Sequence, residues 1–284
     1  MKPTDTVVRA ITSDGAFRVI TALTTDTVRG ATAAQGASGL TAQRLGELIT
    51  GAILVREAMA PALRVQVIVK GSAGHGSLVA DAHPDGTSRG LVNLGKGHDG
   101  VDLGEGSLLQ VMRTLPNGAL QQGVVEIPAD AGISGALMTY MQESEQVVSM
   151  IAVTTQRDED GVGRSAGYMV QLLPEVGRGP LMVMTERLRD FERLDHVLAD
   201  EGASADSLLD ELLYGMPFAR LEASPLSFNC QCSQLRVVAA LASLPRTDIE
   251  EMVTDGKLLD IRCDYCGRDY QVSPGQLRSL LTTS

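Results

Sequence analysis

The first 229 residues of this 284-residue chain contain no cysteine. The chain has no tryptophan, and aromatic residues make up 3% of it. So few rings supply few platforms for base stacking, and the formal charge of −11 repels a phosphate backbone. Nucleic acid is therefore not the expected partner. No apolar run approaches the roughly 18 residues that a membrane span needs. The first residues, Met-Lys-Pro-Thr-Asp-Thr, lack the apolar stretch of a secretory signal. A soluble, cytoplasmic protein with no membrane partner is expected. Four cysteines in such a chain read as thiols or metal ligands rather than as a secreted disulfide scaffold.

What is present is enough for one sizeable core and for two domains, with 44% hydrophobic and 21% charged residues. Ser13-Asp14-Gly15 is a turn signal, and residues 30–40 form a polar, Gly/Ala-rich segment. Thr41 is placed to cap a helix carrying Leu45, Leu48, Ile49, Ala52 and Ile53, with Pro61 as its stop. Val65, Val67 and Val69 alternate as in a half-buried strand. Residues 107–113 and 119–127 flank Pro116-Asn117-Gly118 as a hairpin. Residues 147–153 and 168–172 flank an acidic loop at 156–164. The pattern predicts an α+β fold: residues 1–178 form a core domain with a mixed or antiparallel sheet and packed helices.

Residues 179–225 read as a helical linker. Met184, Leu188, Phe191, Leu194 and Leu198 mark one helical stripe with a charged opposite face. A second helix carries Leu208, Leu209, Leu212 and Leu213, with Gly215 at its end. Helices this short are not stable alone in water, so they must dock.

Residues 226–284 read as a small zinc-binding module. Cys230-Gln-Cys232 and Cys263-Asp-Tyr-Cys266 are two close pairs, the donor count of a tetrahedral zinc site. Ser233 is placed to cap one helix, Thr247-Asp-Ile-Glu250 to form the capping box of a second, and Ser273-Pro274-Gly275-Gln276 to start a third. Leu259 and Ile261 lead into the second pair as a strand, and Tyr270 and Val272 lead out of it. A domain of about 55 residues rarely holds together on its core alone. Zinc adds about 10–16 kcal/mol in zinc-finger peptides. Sulfur donors favour zinc over magnesium or calcium. The same sulfurs react with oxidants, so the cluster reads as a structural clip, a redox device, or both.

The cysteine segment Ser227-Phe-Asn-Cys-Gln-Cys-Ser233, with Arg236 and Cys263-Asp-Tyr-Cys-Gly267, resembles the redox-regulated holdase chaperone family of the thirty-three-kilodalton heat-shock protein. Thr12-Ser-Asp-Gly15 with Arg18, Asp81-Ala82 with Arg89-Gly90, and Tyr140-Met-Gln-Glu-Ser-Glu-Gln146 resemble other parts of that family, as does Gly167-Tyr-Met-Val-Gln-Leu-Leu-Pro174. The resemblance implies an ATP-independent chaperone and no enzyme. It implies one zinc ion on Cys230, Cys232, Cys263 and Cys266 in an inactive, reduced monomer. Oxidative stress would pair Cys263 with Cys266 and Cys230 with Cys232. Zinc would leave, the module and linker would unfold, and a homodimer would hold unfolding client proteins.

Two rivals belong to other classes. A thiol-disulfide oxidoreductase would use Cys263 and Cys266, but such a pair normally opens a helix. A zinc-ribbon nucleic-acid binder would want a basic face, whereas residues 230–284 carry six Arg/Lys against seven Asp/Glu. Gly95-Lys-Gly97-His-Asp-Gly100 fits a dinucleotide pattern without the required strand and helix, and reads as a loop. Gly71-Ser-Ala-Gly-His-Gly76 reads as a turn, and His75, His83, His98 and His196 are scattered.

Overall fold

A computed structural model describes residues 3–59, 63–115, 117–159, 161–173 and 178–282. Pro61, Pro116 and Pro174 lie outside the described residues. The fold is α+β, and the chain forms two compact units, Met1–Asn229 and Cys230–Ser284.

The first unit opens with strands β1 (Thr6–Thr12) and β2 (Phe17–Leu23), turned at Asp14-Gly15. Helices α1 (Thr25–Gln35) and α2 (Gly39–Ala58) follow. Next come β3 (Arg64–Lys70), β4 (Ser77–Ala82), β5 (Thr87–Asn93), β6 (Leu108–Thr114) and β7 (Leu120–Glu126). Helix α3 (Gly132–Glu143) leads to the long hairpin β8 (Ser149–Asp158) and β9 (Gly161–Leu172). Helices α4 (Arg178–Leu188), α5 (Asp195–Leu198) and α6 (Ala205–Leu212) follow, and then three very short strands: β10 (Phe218–Arg220), β11 (Ser224–Pro225) and β12 (Ser227–Phe228).

Two sheets result. The first runs β10-β1-β2-β9-β8, with β11 also on β1, and the second runs β12-β5-β4-β3-β6-β7. Every pairing is antiparallel except β12 on β5. Helix α2 packs on both sheets and buries residues all round its girth, as a helix inside a core must. Close approach needs small residues: a Cβ at Gly46 would lie 2.5 Å from the Thr155 hydroxyl oxygen.

The first sheet is buried on both faces. Ile20 and Ala22 of β2 face the core around α2, whereas Phe17, Val19 and Leu23 face a second core. Met184, Leu188, Leu194, Leu198, Leu208, Leu209 and Leu212 of the α4–α6 segment close that second core over Val8, Tyr168 and Val170. The docking predicted for these helices is therefore met by the outer face of the first sheet.

Several local expectations are corrected. The Gly/Ala-rich segment at 30–40, to which composition assigned no element, runs through the end of α1 to Gln35 and into α2 from Gly39, with Val28, Ala31 and Thr32 on the buried face of α1. Thr41 lies inside α2, and its hydroxyl donates to the Asp99 carbonyl at 3.2 Å instead of capping. Most of the predicted 156–164 loop is strand, with Arg157 paired to Val162. The single stripe through 184–198 is broken into α4, a 3-10 turn at Arg189–Phe191, and α5. Gly215, at φ +72°, falls two residues beyond the C-cap Leu213 of α6.

The second unit contains helices α7 (Gln234–Leu241) and α8 (Arg246–Asp255), hairpin strands β13 (Leu259–Arg262) and β14 (Asp269–Val272), and helix α9 (Pro274–Thr282). Ser233 caps α7, accepting from the Arg236 amide at 3.3 Å. The Ser273/Gln276 capping box forms at α9, with bonds of 2.9 and 3.3 Å. The one expected at Thr247 does not: Pro245 is the N-cap of α8, and the Thr247 hydroxyl bonds Asp248. Gly256 ends α8 in the left-handed conformation, at φ +65°.

Candidate metal centre

The two cysteine pairs are positioned by different devices. Cys230 and Cys232 sit just before α7, where the Ser233 cap fixes the chain's entry into the helix. Cys263 and Cys266 occupy the turn between β13 and β14. The Cys263 amide donates to the Arg268 carbonyl at 2.9 Å, and the Gly267 amide donates to the Cys263 carbonyl at 2.8 Å. This tight knuckle requires φ +70° at residue 267, which glycine supplies. A redox pair opening a helix has a different local structure; here a strand lies on each side.

All four Sγ atoms lie within 4.8 Å of one another. Cys230 and Cys263 are 3.7 Å apart, and Cys232 and Cys266 are 3.3 Å apart. Ligands of a tetrahedral zinc ion at about 2.3 Å stand about 3.8 Å from each other. The donor set and its spacing fit a zinc ion. Among the described residues, no other group of His, Cys, Asp and Glu ligands meets this way.

The electrostatics agree. Burial raises the Cys232 thiol, but the Tyr270 hydroxyl, donating at 3.0 Å, and the neighbouring thiols outweigh it and bring it down to about 7. Burial pushes Cys266 up to about 12 and raises Cys263 as well. Cys232 thus ionises more readily than Cys263 and Cys266, which burial holds toward the thiol form, and a cation among the sulfurs would favour the thiolates.

The unit around the cluster has little else to hold it. Among its described residues the buried apolar cluster is Ile249, Val272 and Leu277, with the Tyr270 ring also buried and half-buried residues such as Val238, Leu241 and Ile261 around it.

Other groups singled out by sequence lie elsewhere. Gly95–Gly100 is a loop, and Gly71–Gly76 holds a single 3-10 turn. His75 and His98 stack at 4.2 Å, and His83 lies 3.6 Å from Asp81. Sequence reasoning missed how Asp81 is held. It is fully buried, takes bonds of 2.6 and 2.7 Å from Arg64, and pairs with Arg89 at 2.8 Å. Burial alone would raise its carboxyl, but the His83 ring and the Arg64 guanidinium hold it well below the usual carboxylate range. The strand register that pairs Asp81 with Arg89 was the available signal. The Tyr140-to-Gln146 signature is a structural tie. Tyr140 donates to Glu145 at 2.5 Å, and Arg113 on β6 reaches the same carboxylate at 2.9 Å.

Comparisons agree with the fold and the cysteine pattern. The family model described as Hsp33 protein matches residues 5–273. The 33 kDa chaperonin of Syntrophotalea carbinolica is 27% identical, aligned over 98% of this chain and 99% of that protein. The 33 kDa chaperonin of Streptococcus pyogenes serotype M49 is 28% identical over the same shares. The crystal structure of the 33 kDa chaperonin of Thermotoga maritima superposes with a TM-score of 0.82 at 21% identity, covering 98% of each chain. The protein is thus a chaperone and not an enzyme. It belongs to the Hsp33 family.

Proposed function

We propose that this chaperone is an ATP-independent, redox-regulated holdase, inactive while reduced and loaded with one zinc ion. The observation that carries the reading is the group of four Sγ atoms within 4.8 Å in a unit whose buried apolar cluster is small, Ile249, Val272 and Leu277. Cys230, Cys232, Cys263 and Cys266 would hold the ion, which when bound keeps all four sulfurs as thiolates. Folding energy and binding energy are then the same quantity for residues 226–284.

Oxidation pairs the cysteines that are neighbours in sequence, Cys263 with Cys266 and Cys230 with Cys232. In each pair two thiolates form one S–S bond, and their two electrons reduce a peroxide, which takes two protons and leaves as two waters. Sulfurs spent on disulfides no longer serve as ligands, and the module unfolds. The 179–225 linker follows and uncovers the first sheet's outer face. The apolar surface beneath α4–α6, with Val8, Val19, Tyr168 and Val170, supports this as a place for clients. In this reading residues 1–178 are the chaperone core, the reduced form is a monomer, the active form is a homodimer, and the setting is the cytoplasm. The charge of −11 helps keep client complexes soluble. The oxidoreductase rival loses ground because Cys263 and Cys266 sit in a strand–turn–strand knuckle.

The test is suppression of a model client's aggregation without ATP. The reduced chain is expected to give none, the chain treated with peroxide at heat-shock temperature nearly full suppression, and dithiothreitol should reverse it. Equal activity in both forms sinks the reading.

A further inference from the structure

Residues 217–229, which run straight into Cys230, lie as a strap along the edges of both sheets of the first unit. The Ser13 amide donates to the Pro217 carbonyl at 2.8 Å, and the Leu221 amide donates to Arg9 at 2.8 Å. Strands β10 and β11 cover the outer edge of β1, antiparallel to it. The Leu226 amide then donates to Asp5 at 3.0 Å, Ser227 to Gly86 at 3.2 Å, and Asn229 to Ser88 at 3.1 Å. Here β12 covers the edge of β5, parallel to it. Without the strap, β1 and β5 would each end their sheet with open amides and carbonyls, a template for another chain.

The strap is held mainly through its backbone, with a few side chains seated. Leu226 is buried in the main core. Phe228 lies over Gly30 of α1, where a Cβ would come within 2.7 Å of the phenylalanine Cβ. The absence of a side chain at residue 30 makes a socket for this ring. The grip is weak along its length: β10 has three residues, β11 two and β12 two. Pro217 and Pro225 remove amide donors from the strap.

We infer that the β1 and β5 edges, once the strap has peeled away, form a docking site for an extended polypeptide segment, with the Gly30 socket taking one large hydrophobic side chain. The strap itself is the pattern for this occupant: backbone pairing that tolerates many sequences, plus a pocketed ring. An unfolding protein offers such segments wherever a hydrophobic stretch is exposed. The inference rests on the holdase reading in one respect, that oxidation frees the strap.

The experiment uses the full chain, reduced and oxidised, and a labelled synthetic peptide of residues 217–229, which contains no cysteine. Anisotropy measures binding, and client aggregation is followed in parallel. The peptide is expected to bind the oxidised form at least about tenfold more tightly than the reduced form and to compete with the client. A Phe228→Ala peptide should bind about tenfold more weakly, the worth of one buried hydrophobic side chain. In a Gly30→Ala chain the two peptides should bind alike, because the socket is filled. Client suppression without peptide binding overturns this inference and leaves the holdase reading standing. Peptide binding without client suppression keeps the site and removes the holdase reading. Equal binding to reduced and oxidised chain, or an unchanged preference for phenylalanine in the Gly30→Ala chain, overturns the role given to the strap and its socket.

Discussion

Tyr270 shows how one side chain outside the ligand set can serve the cluster. Its ring is buried in the small unit, and its hydroxyl donates to the Cys232 sulfur at 3.0 Å. That bond favours the thiolate and fixes where the sulfur points. Tyr270→Phe keeps the ring and removes the bond, so the fold should survive while zinc affinity falls about tenfold or more, as for other groups that orient metal ligands. Competition against a chromogenic chelator measures this. The four cysteines were legible as a ligand set because their spacing is a chemical signature. Tyr270 was legible as a strand residue and as part of the family resemblance, but not as a partner of Cys232, since the partner of a hydroxyl depends on a fold that brings Cys232 across from another element.

At the scale of elements, α4 to α6 are the parts whose stability is borrowed. They are short and bury their leucines only against the outer face of the first sheet. Leu209 is fully buried there. Leu209→Ala should cost about 2–4 kcal/mol of local docking. The reduced variant should then show suppression of client aggregation that the unaltered reduced chain lacks. Glu47 of α2 lies close to the same segment. Burial pushes its carboxyl up to about 7, against the hydrogen bond from Gln43 at 3.0 Å and the charge of Arg44, and Asp195 of α5 adds repulsion. A carboxyl raised in the folded state gives stability that is present below about pH 4 and is lost as pH rises through about 7. Glu47→Gln should therefore raise the unfolding free energy read from urea melts by about 1 kcal/mol at about pH 8, after allowing for solvent screening, and change it little at about pH 5. The leucine pattern announced that these helices must dock. It did not announce where they break, because Phe191 continues the stripe although the chain turns there. Helix α1 escaped notice for the opposite reason: its buried face is made of Thr, Ala and a single Val, too small to stand out as a hydrophobic period.

Across the whole molecule, the cysteine-free stretch of sequence and the larger compact unit coincide, with the division falling at Asn229 and Cys230. The larger unit is stabilised by a continuous core around α2, and the smaller has the small buried cluster of Ile249, Val272 and Leu277 and four sulfurs. Oxidising those sulfurs should unfold both the small unit and the α4–α6 segment, while the α2 core persists. Hydrogen exchange, followed together with zinc release during peroxide treatment at heat-shock temperature, tests it directly. Residues 230–284 and 179–225 are expected to lose protection in step with the metal while α2 stays protected. Zinc released with α4–α6 still protected, or protection lost throughout with α2 included, would show that the sulfurs do not control this segment.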